Sequence, residues 1–206
     1  MSEVLKFEKA APPTPDPKGF VMTETAKDIL CTLAHVRSIQ GPAISMISGV
    51  FGVGKSTTID YYQRQHWENT IVISIAKGEG NPSYVSDNIL NKFYSHRNRN
   101  NDLSVRRRDI MRCLPPSRML IVKDAHHLNQ RNKASCTKGA AFDWLAGASE
   151  EAGFDLVFEG DMTLATILMD FPNVQGRLRR PVVINAATAG DVAARLRFQL
   201  QVQRLM

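Results

Sequence analysis

The chain has 206 residues, of which 43% are hydrophobic, and a formal net charge of +6. This length is enough for one domain with a full core and a small appendage. No apolar run approaches the roughly 18 residues of a membrane span, and the N-terminus lacks the apolar segment of a signal peptide, so we expect a cytoplasmic protein without a membrane partner.

Helix-like and strand-like patterns alternate along the chain after a proline-rich arm, which we predict to be flexible over residues 1–18. The predicted helices cover roughly residues 23–39, 55–65, 83–94, a stretch before Pro115, 140–152, 164–169 and 189–206. The predicted strands cover residues 43–48, 70–76, 119–122, 154–158 and 181–185. This alternation predicts an α/β domain whose mostly parallel sheet is covered by helices on both faces.

Residues 49–56 match the phosphate-binding pattern Gly-x-x-x-x-Gly-Lys-Ser, and they stand between a predicted strand and a predicted helix. In such a loop backbone N–H groups surround the phosphates, Lys55 reaches the β- and γ-phosphates, and the Ser56 hydroxyl holds Mg²⁺. We therefore predict ATP and Mg²⁺ as cofactors. The predicted nucleotide contacts are Gly49, Val50, Phe51, Gly52, Val53, Gly54, Lys55, Ser56 and Thr57.

The strand at residues 119–122 runs into Lys123-Asp124, where ATPases with this loop commonly carry an Asp for magnesium and a Glu for the attacking water. In one register Lys123 occupies the magnesium position and would compete with the metal, while Asp124 replaces the catalytic Glu. In the other register Asp124 is the magnesium ligand and no acid follows it. Either register lacks one acid, so we expect nucleotide binding with weakened hydrolysis.

Arginine is concentrated in residues 96–112, which contain six arginines in seventeen residues. Clustered arginines with polar residues between them are typical of surfaces that follow a phosphate backbone. A solvated loop and helix face is the alternative. The predicted DNA contacts are Arg97, Arg99, Arg106, Arg107 and Arg108.

From Phe20 onward the ordered motifs resemble the AAA+ ATPases of DNA transposition, the family of phage Mu B protein, TnsC and TniB. The resemblance is carried by the segment Phe20 to Thr25, the phosphate loop, residues 123–128 against the family's Asp-Glu-Ala-His-His-Leu, and residues 156–161 and 176–184. It implies an AAA+ core over residues 19–187 and a C-terminal helical lid, apparently truncated, that starts within residues 188–206.

The resemblance also implies roles for two further residues. Asp161 replaces the Asn of the sensor strand, and Arg177 matches the arginine that reaches a neighbouring subunit's nucleotide. Together with Asp124, these form the predicted catalytic set.

Members of this family assemble on double-stranded DNA and act on a transposase, so the resemblance implies an ATP-dependent homo-oligomer, as a filament or ring, that delivers target DNA. Two alternatives stay open at this stage. A helicase-loading or DNA-remodelling ATPase shares the same core, and a nucleotide-gated assembly module with little hydrolysis would fit the Lys123-Asp124 departure.

Overall fold

A computed structural model describes residues 19–94, 102–130 and 138–203. The helices are α1 (Glu24–Ser38), α2 (Lys55–Gln65), α3 (Pro82–Leu90), α4 (Leu103–Cys113), α5 (Ala140–Ala152), α6 (Thr163–Leu168), α7 (Pro172–Gln175) and α8 (Ala189–Gln203). The strands are β1 (Ile44–Gly49), β2 (Thr70–Ser74), β3 (Met119–Lys123), β4 (Asp155–Gly160) and β5 (Val182–Ile184). The predicted arm at residues 1–18 lies outside the described residues.

The five strands form one parallel sheet in the order β2-β3-β4-β1-β5. Strand β4 therefore lies between β3, the strand before it in the chain, and β1, the first strand of the chain. Because all strands run in the same direction, their carboxyl ends meet at one edge of the sheet. Ligands of open parallel sheets bind at that edge, where the strand order switches.

Helices cover both faces of the sheet, as the alternating pattern predicts. The face with α1 and α2 buries apolar side chains including Ile29, Leu33, Ile59 and Val157. The opposite face, with α3, α4 and α5, buries a larger cluster that includes Phe142 and Phe158. Side chains alternate between these two clusters along β1, β2, β3 and β4, which fixes the pairing register because a slip of one residue would reverse every side chain.

Side-chain caps at the helix starts explain several boundaries. The Thr23 side chain accepts from the Ala26 backbone N–H at α1, and Asn81 accepts from two N–H groups at α3. Before α8 the Thr188 hydroxyl accepts from the Asp191 N–H at 3.0 Å. Over the described parts of the chain, no helix combines the length and the apolar character that crossing a bilayer requires.

Candidate nucleotide-binding site

The phosphate loop lies at the carboxyl edge of the sheet, between the end of β1 and the start of α2. Gly52 and Gly54 have φ values of 83° and 93°, which glycine adopts without the steric cost that a side chain would add. Gly49 allows the close approach of β5, because a Cβ there would lie 2.7 Å from the Ile184 carbonyl oxygen. The loop can therefore aim backbone N–H groups at an anion beside the positive end of the α2 dipole.

Lys55 is buried at the base of this loop, with 6% of its surface exposed. Its Nζ donates to the carbonyl oxygens of Gly49 at 2.7 Å and Val50 at 2.9 Å. The Glu159 Oε1 atom lies 3.9 Å from the same Nζ. The ammonium is thus held in the cavity that Ser56, Asp124 and Asp161 also line.

Lys123 does not point its charge into this cavity. Its Nζ forms an ion pair with Asp60 Oδ1 on α2 at 3.1 Å, and Lys123 is absent from the described residues that line the phosphate side. The sequence argument that a cation here opposes Mg²⁺ is corrected to this extent: the ammonium is paired with a neighbouring carboxylate.

Asp124 follows β3 in a left-handed conformation, with φ of 56° and ψ of 34°. For a non-glycine residue such a conformation is uncommon and is often found at functional sites. The Asp124 backbone N–H donates to Glu159 Oε2 at 3.4 Å. The structure thus brings Asp124 to the same cavity as Lys55 and Ser56, as the sequence predicted.

Glu159 is a residue of this site that the sequence motifs did not predict. It is 3% exposed on β4, and it faces the phosphate loop because β4 pairs with β1 through Ile47 and Glu159. Burial raises the pKa of its carboxyl, against the opposing attraction of Lys55. The predicted strand ends at residue 158, and no local signal in the sequence places Glu159 beside Lys55.

Asp161 lines the cavity but is held by its own neighbours. Its Oδ1 accepts from the Thr163 backbone N–H at 2.9 Å and from the Thr163 hydroxyl at 2.6 Å. Burial opposes ionisation, yet these hydrogen bonds keep the pKa of Asp161 below its usual value. The His126 Nε2 atom lies 3.9 Å from Asp161 Oδ2, so the residue links the segment after β3 to the end of β4.

A second cavity adjoins the phosphate loop and is lined in part by the segment Phe20 to Thr25. Phe20 and Val21 line it, and the Phe20 ring stacks on Tyr61 with centroids 4.0 Å apart. Helix α8 closes the other side through Val192 and Arg195. Arg195 lines both cavities, although no motif in the sequence indicates a role for it.

Asp191 of α8 accepts hydrogen bonds from α1 next to this second cavity. Its carboxylate accepts from the Thr25 N–H at 3.0 Å and from the Thr25 hydroxyl at 2.6 Å. It also accepts from the Thr188 N–H at 3.0 Å. These hydrogen bonds outweigh the effect of burial and hold the pKa of Asp191 well below its usual range.

Arg177 lies near the amino edge of the sheet, away from the chain's own phosphate loop. Its guanidinium donates to the Ala146 carbonyl at 2.8 Å and to the Ser149 hydroxyl at 3.1 Å, both on α5. Burial lowers its pKa. A residue so placed is not part of its own chain's cavity, and its predicted role on a neighbour's nucleotide stays a prediction.

The arginines of α4 differ from one another. Arg106 is 2% exposed, and its Nη1 contacts the Ser83 carbonyl at 3.0 Å and Asp87 Oδ2 at 3.2 Å. Its predicted DNA contact is therefore corrected: the guanidinium is buried against α3. Arg107 pairs with Glu151 at 3.0 Å, whereas Arg108 is exposed. Arg97 and Arg99 lie outside the described residues.

No protein-family model matches the sequence, and no curated protein matches it. Solved structures match across most of the chain. The ORC1 protein of Aeropyrum pernix in complex with DNA is 15% identical with a TM-score of 0.66, over 91% of this chain and 52% of that one. Cdc6p from Pyrobaculum aerophilum is 15% identical with a TM-score of 0.62, over 95% of this chain and 52% of that one.

The S. cerevisiae Hsp104-ADP complex is also similar, with 11% identity and a TM-score of 0.54, over 86% of this chain and 24% of that one. This chain thus spans about half the length of the ORC1 and Cdc6 proteins that it matches. These likenesses show the core fold of an AAA+ ATPase, which confirms the predicted fold. They do not show that the chain belongs to the narrower family of transposition ATPases.

Proposed function

We propose that this chain is an ATP-dependent AAA+ regulator of DNA transposition that oligomerises on DNA and delivers target DNA to a transposase. The observation that carries the nucleotide part is the pairing of two cavities around one phosphate loop. Lys55, Ser56 and Asp124 line the phosphate side, and Phe20 and the start of α8 line the side expected to take the base.

The residues beside the phosphate loop fit a magnesium ion. Mg²⁺ in nucleotide sites takes one or two protein oxygens and completes its shell with phosphate oxygens and water. The Ser56 hydroxyl and the Asp124 carboxylate line one cavity and are the proposed protein ligands. When bound, the ion would supply positive charge that neutralises the negative charge developing on the phosphates.

Basic residues of the chain would supply the other contacts to the nucleotide. Lys55 would leave its backbone carbonyl partners and donate to the β- and γ-phosphates. Arg195, which borders both cavities, would place a positive charge over the phosphates from α8. Arg177 of one subunit would reach the nucleotide of the next one in the assembly, for which its present contacts to α5 would have to open.

The proposed DNA surface includes the exposed side of α4 and the arginines before it. Arg108 and Arg112 are exposed on this helix, with 69% of the Arg112 side chain accessible. Arg97 and Arg99 precede it in the sequence. Contacts to the phosphate backbone carry little sequence information, so binding should tolerate different sequences.

A nucleotide-gated assembly module with little hydrolysis is the second candidate. The observation that favours it is that Lys123 replaces the acid expected at the end of β3 and is held by Asp60. Such a module would assemble with ATP and persist, because the water-positioning group is weakened. Release of phosphate in the presence of duplex DNA distinguishes it from an active ATPase.

The test is electron microscopy of the chain with and without a slowly hydrolysed ATP analogue, and in each case with and without duplex DNA. We expect ordered oligomers that require the analogue and are favoured by DNA. A monomer under all four combinations of analogue and DNA would contradict the assembly proposal. Capture of a transposase by the assembled protein would support the transposition role, whereas capture of a replicative helicase would favour a loader.

The DNA surface has its own test, a salt series of fluorescence anisotropy with unrelated duplexes. Each phosphate contact releases counterions, so Arg108→Ala should lower affinity on every duplex and flatten the log–log salt slope by about one. An unchanged slope in a folded variant would mean that this residue only lines a solvated face. Asp109→Asn, in the same helix turn, is the control that should not flatten it.

A further inference from the structure

A basic residue ends β3 and an acidic residue lies beside it near the end of β4, next to the proposed magnesium site. The last residue of β3 is Lys123, where ATPases of this kind commonly place an acid. The neighbouring strand β4 pairs with β3 up to Val122 and Phe158, so the next residue on β4 is Glu159. A carboxylate absent from one strand is therefore present on the strand beside it.

The Glu159 carboxylate is directed at the nucleotide cavity and not at solvent. It is 3% exposed, its Oε1 lies 3.9 Å from Lys55 Nζ, and its Oε2 accepts from the Asp124 N–H. Ser56 and Asp124, the proposed magnesium ligands, line the same cavity as Glu159. The basic side chain on β3 leaves this cavity because Asp60 holds it.

Burying a carboxylate is costly unless charges or hydrogen bonds compensate for it. Lys55 supplies the largest part of that compensation while its ammonium bonds to the loop carbonyls, and the Asp124 N–H and the charge of Lys123 add to it. Once Lys55 donates to phosphates, Glu159 would face the polyphosphate across the cavity, and a cation between them would satisfy both. Lys55 alone cannot neutralise the several charges of ATP and this carboxylate together.

We propose that Glu159 is the second carboxylate of the magnesium–nucleotide site, supplied from β4 in place of the acid absent from β3. This inference rests on the proposed ATP binding. It assigns Glu159 as a positioning residue that acts on the metal, directly or through a bound water, beside Ser56 and Asp124. The alternative is that Glu159 serves only as the counter-ion of Lys55.

The test compares the dissociation constant of ATP in EDTA with that in Mg²⁺, by calorimetric titration of the full chain. Without metal, Glu159→Gln removes a negative charge next to the polyphosphate and should tighten ATP binding. With Mg²⁺ it removes an attraction for the metal and should weaken binding. The ratio of the ATP dissociation constant in EDTA to that in Mg²⁺ should therefore fall at least about tenfold in Glu159→Gln, the range found for groups that support a bound metal.

Asp155→Asn is the matched control, because it converts a second buried carboxylate of β4 into an amide at the opposite end of the strand. Its ratio should equal that of the unaltered chain. Electron paramagnetic resonance of Mn²⁺ with ATP gives a second readout, in which Glu159→Gln should alter the spectrum and Asp155→Asn should not. Should Glu159→Gln fail to fold, Glu159→Asp, with a carboxylate one methylene shorter, should give an intermediate ratio.

The outcomes distinguish a failure of the proposed function from a failure of the inference about Glu159. An unaltered chain that binds no ATP overturns both the proposed function and this inference. A chain that binds ATP but shows the same ratio in Glu159→Gln keeps its proposed function, and Glu159 is then only the counter-ion of Lys55. Equal affinity of the unaltered chain in EDTA and in Mg²⁺ also overturns the inference and leaves nucleotide binding intact.

Discussion

Replacing Arg106 by alanine should destabilise the fold and should not act as the loss of a DNA contact. The guanidinium is 2% exposed and contacts the Ser83 carbonyl and hydroxyl, the Ser86 hydroxyl and the Asp87 carboxylate at 3.0–3.2 Å. Removing it leaves these acceptors with fewer donors in the interior between α3 and α4. The helix itself would tolerate alanine well.

The expected magnitude follows from the burial of each partner. Breaking a fully buried charge pair costs about 3–5 kcal/mol. The Asp87 side chain is 27% exposed, so water can replace part of what it loses. We therefore expect Arg106→Ala to lower the free energy of unfolding by about 2–4 kcal/mol.

Urea denaturation followed by circular dichroism measures this difference. Arg108→Ala is the control on the same helix, and its exposed side chain should change the free energy of unfolding by no more than about 0.5 kcal/mol. The reasoning would be refuted if Arg106→Ala kept the urea midpoint of the unaltered chain and lost DNA affinity as Arg108→Ala is expected to do.

Two further predictions concern buried carboxylates. Burial raises the pKa of Asp155 to about 6. Because the folded chain favours the neutral carboxyl, its contribution to stability is fully present below the unfolded pKa near 4 and is lost as pH rises through 6. Asp155→Asn should therefore raise the free energy of unfolding at pH 8 by up to about 3 kcal/mol, and urea midpoints that rise equally at pH 4 and 8 would contradict this. Asp191→Ala should remove the hydrogen bonds between α8 and α1 and lower the free energy of unfolding by about 1–3 kcal/mol. We expect faster hydrogen exchange of the α8 amides with unchanged exchange in β1, and weaker ATP binding in titration. Amides of α8 that stay protected in the variant would contradict this.

The sheet and the phosphate loop could be predicted from sequence because their signals are local. The apolar run before Gly49 gives a buried strand, and the glycine spacing with Lys55 fixes the loop chemistry. Helix α5 was predicted with its observed bounds, since its apolar residues recur at helical spacing between glycines. The short helix α7 was not predicted, because four residues carry too little periodicity.

The misses arise from contacts between distant segments. Glu159 lies beside Lys55 only because β4 is inserted between β3 and β1, an order that follows from the folded sheet. Arg106 did carry a local signal, since it shares the spacing of Ile110 and Cys113 and so lies on the buried face of α4. Its charge, shared with Arg107 and Arg108, hides this position in the arginine cluster.

Arg177 illustrates the same limit at the scale of the whole domain. Its guanidinium bonds to α5, whose residues lie about thirty positions earlier in the chain. No periodicity in the sequence predicts that contact. A role on a neighbouring subunit depends on an assembly that the single chain does not contain.

The central claim is that the loop around Lys55 binds ATP, and calorimetric titration of ATP with Mg²⁺ tests it most directly. The account predicts saturable binding of one ATP per chain and a loss of at least about tenfold in affinity for Lys55→Ala, since a charge-assisted contact to the phosphates contributes about 1.5–3 kcal/mol. Circular dichroism should show that the variant remains folded. No binding by the unaltered chain, or equal affinity in folded Lys55→Ala, would contradict the account.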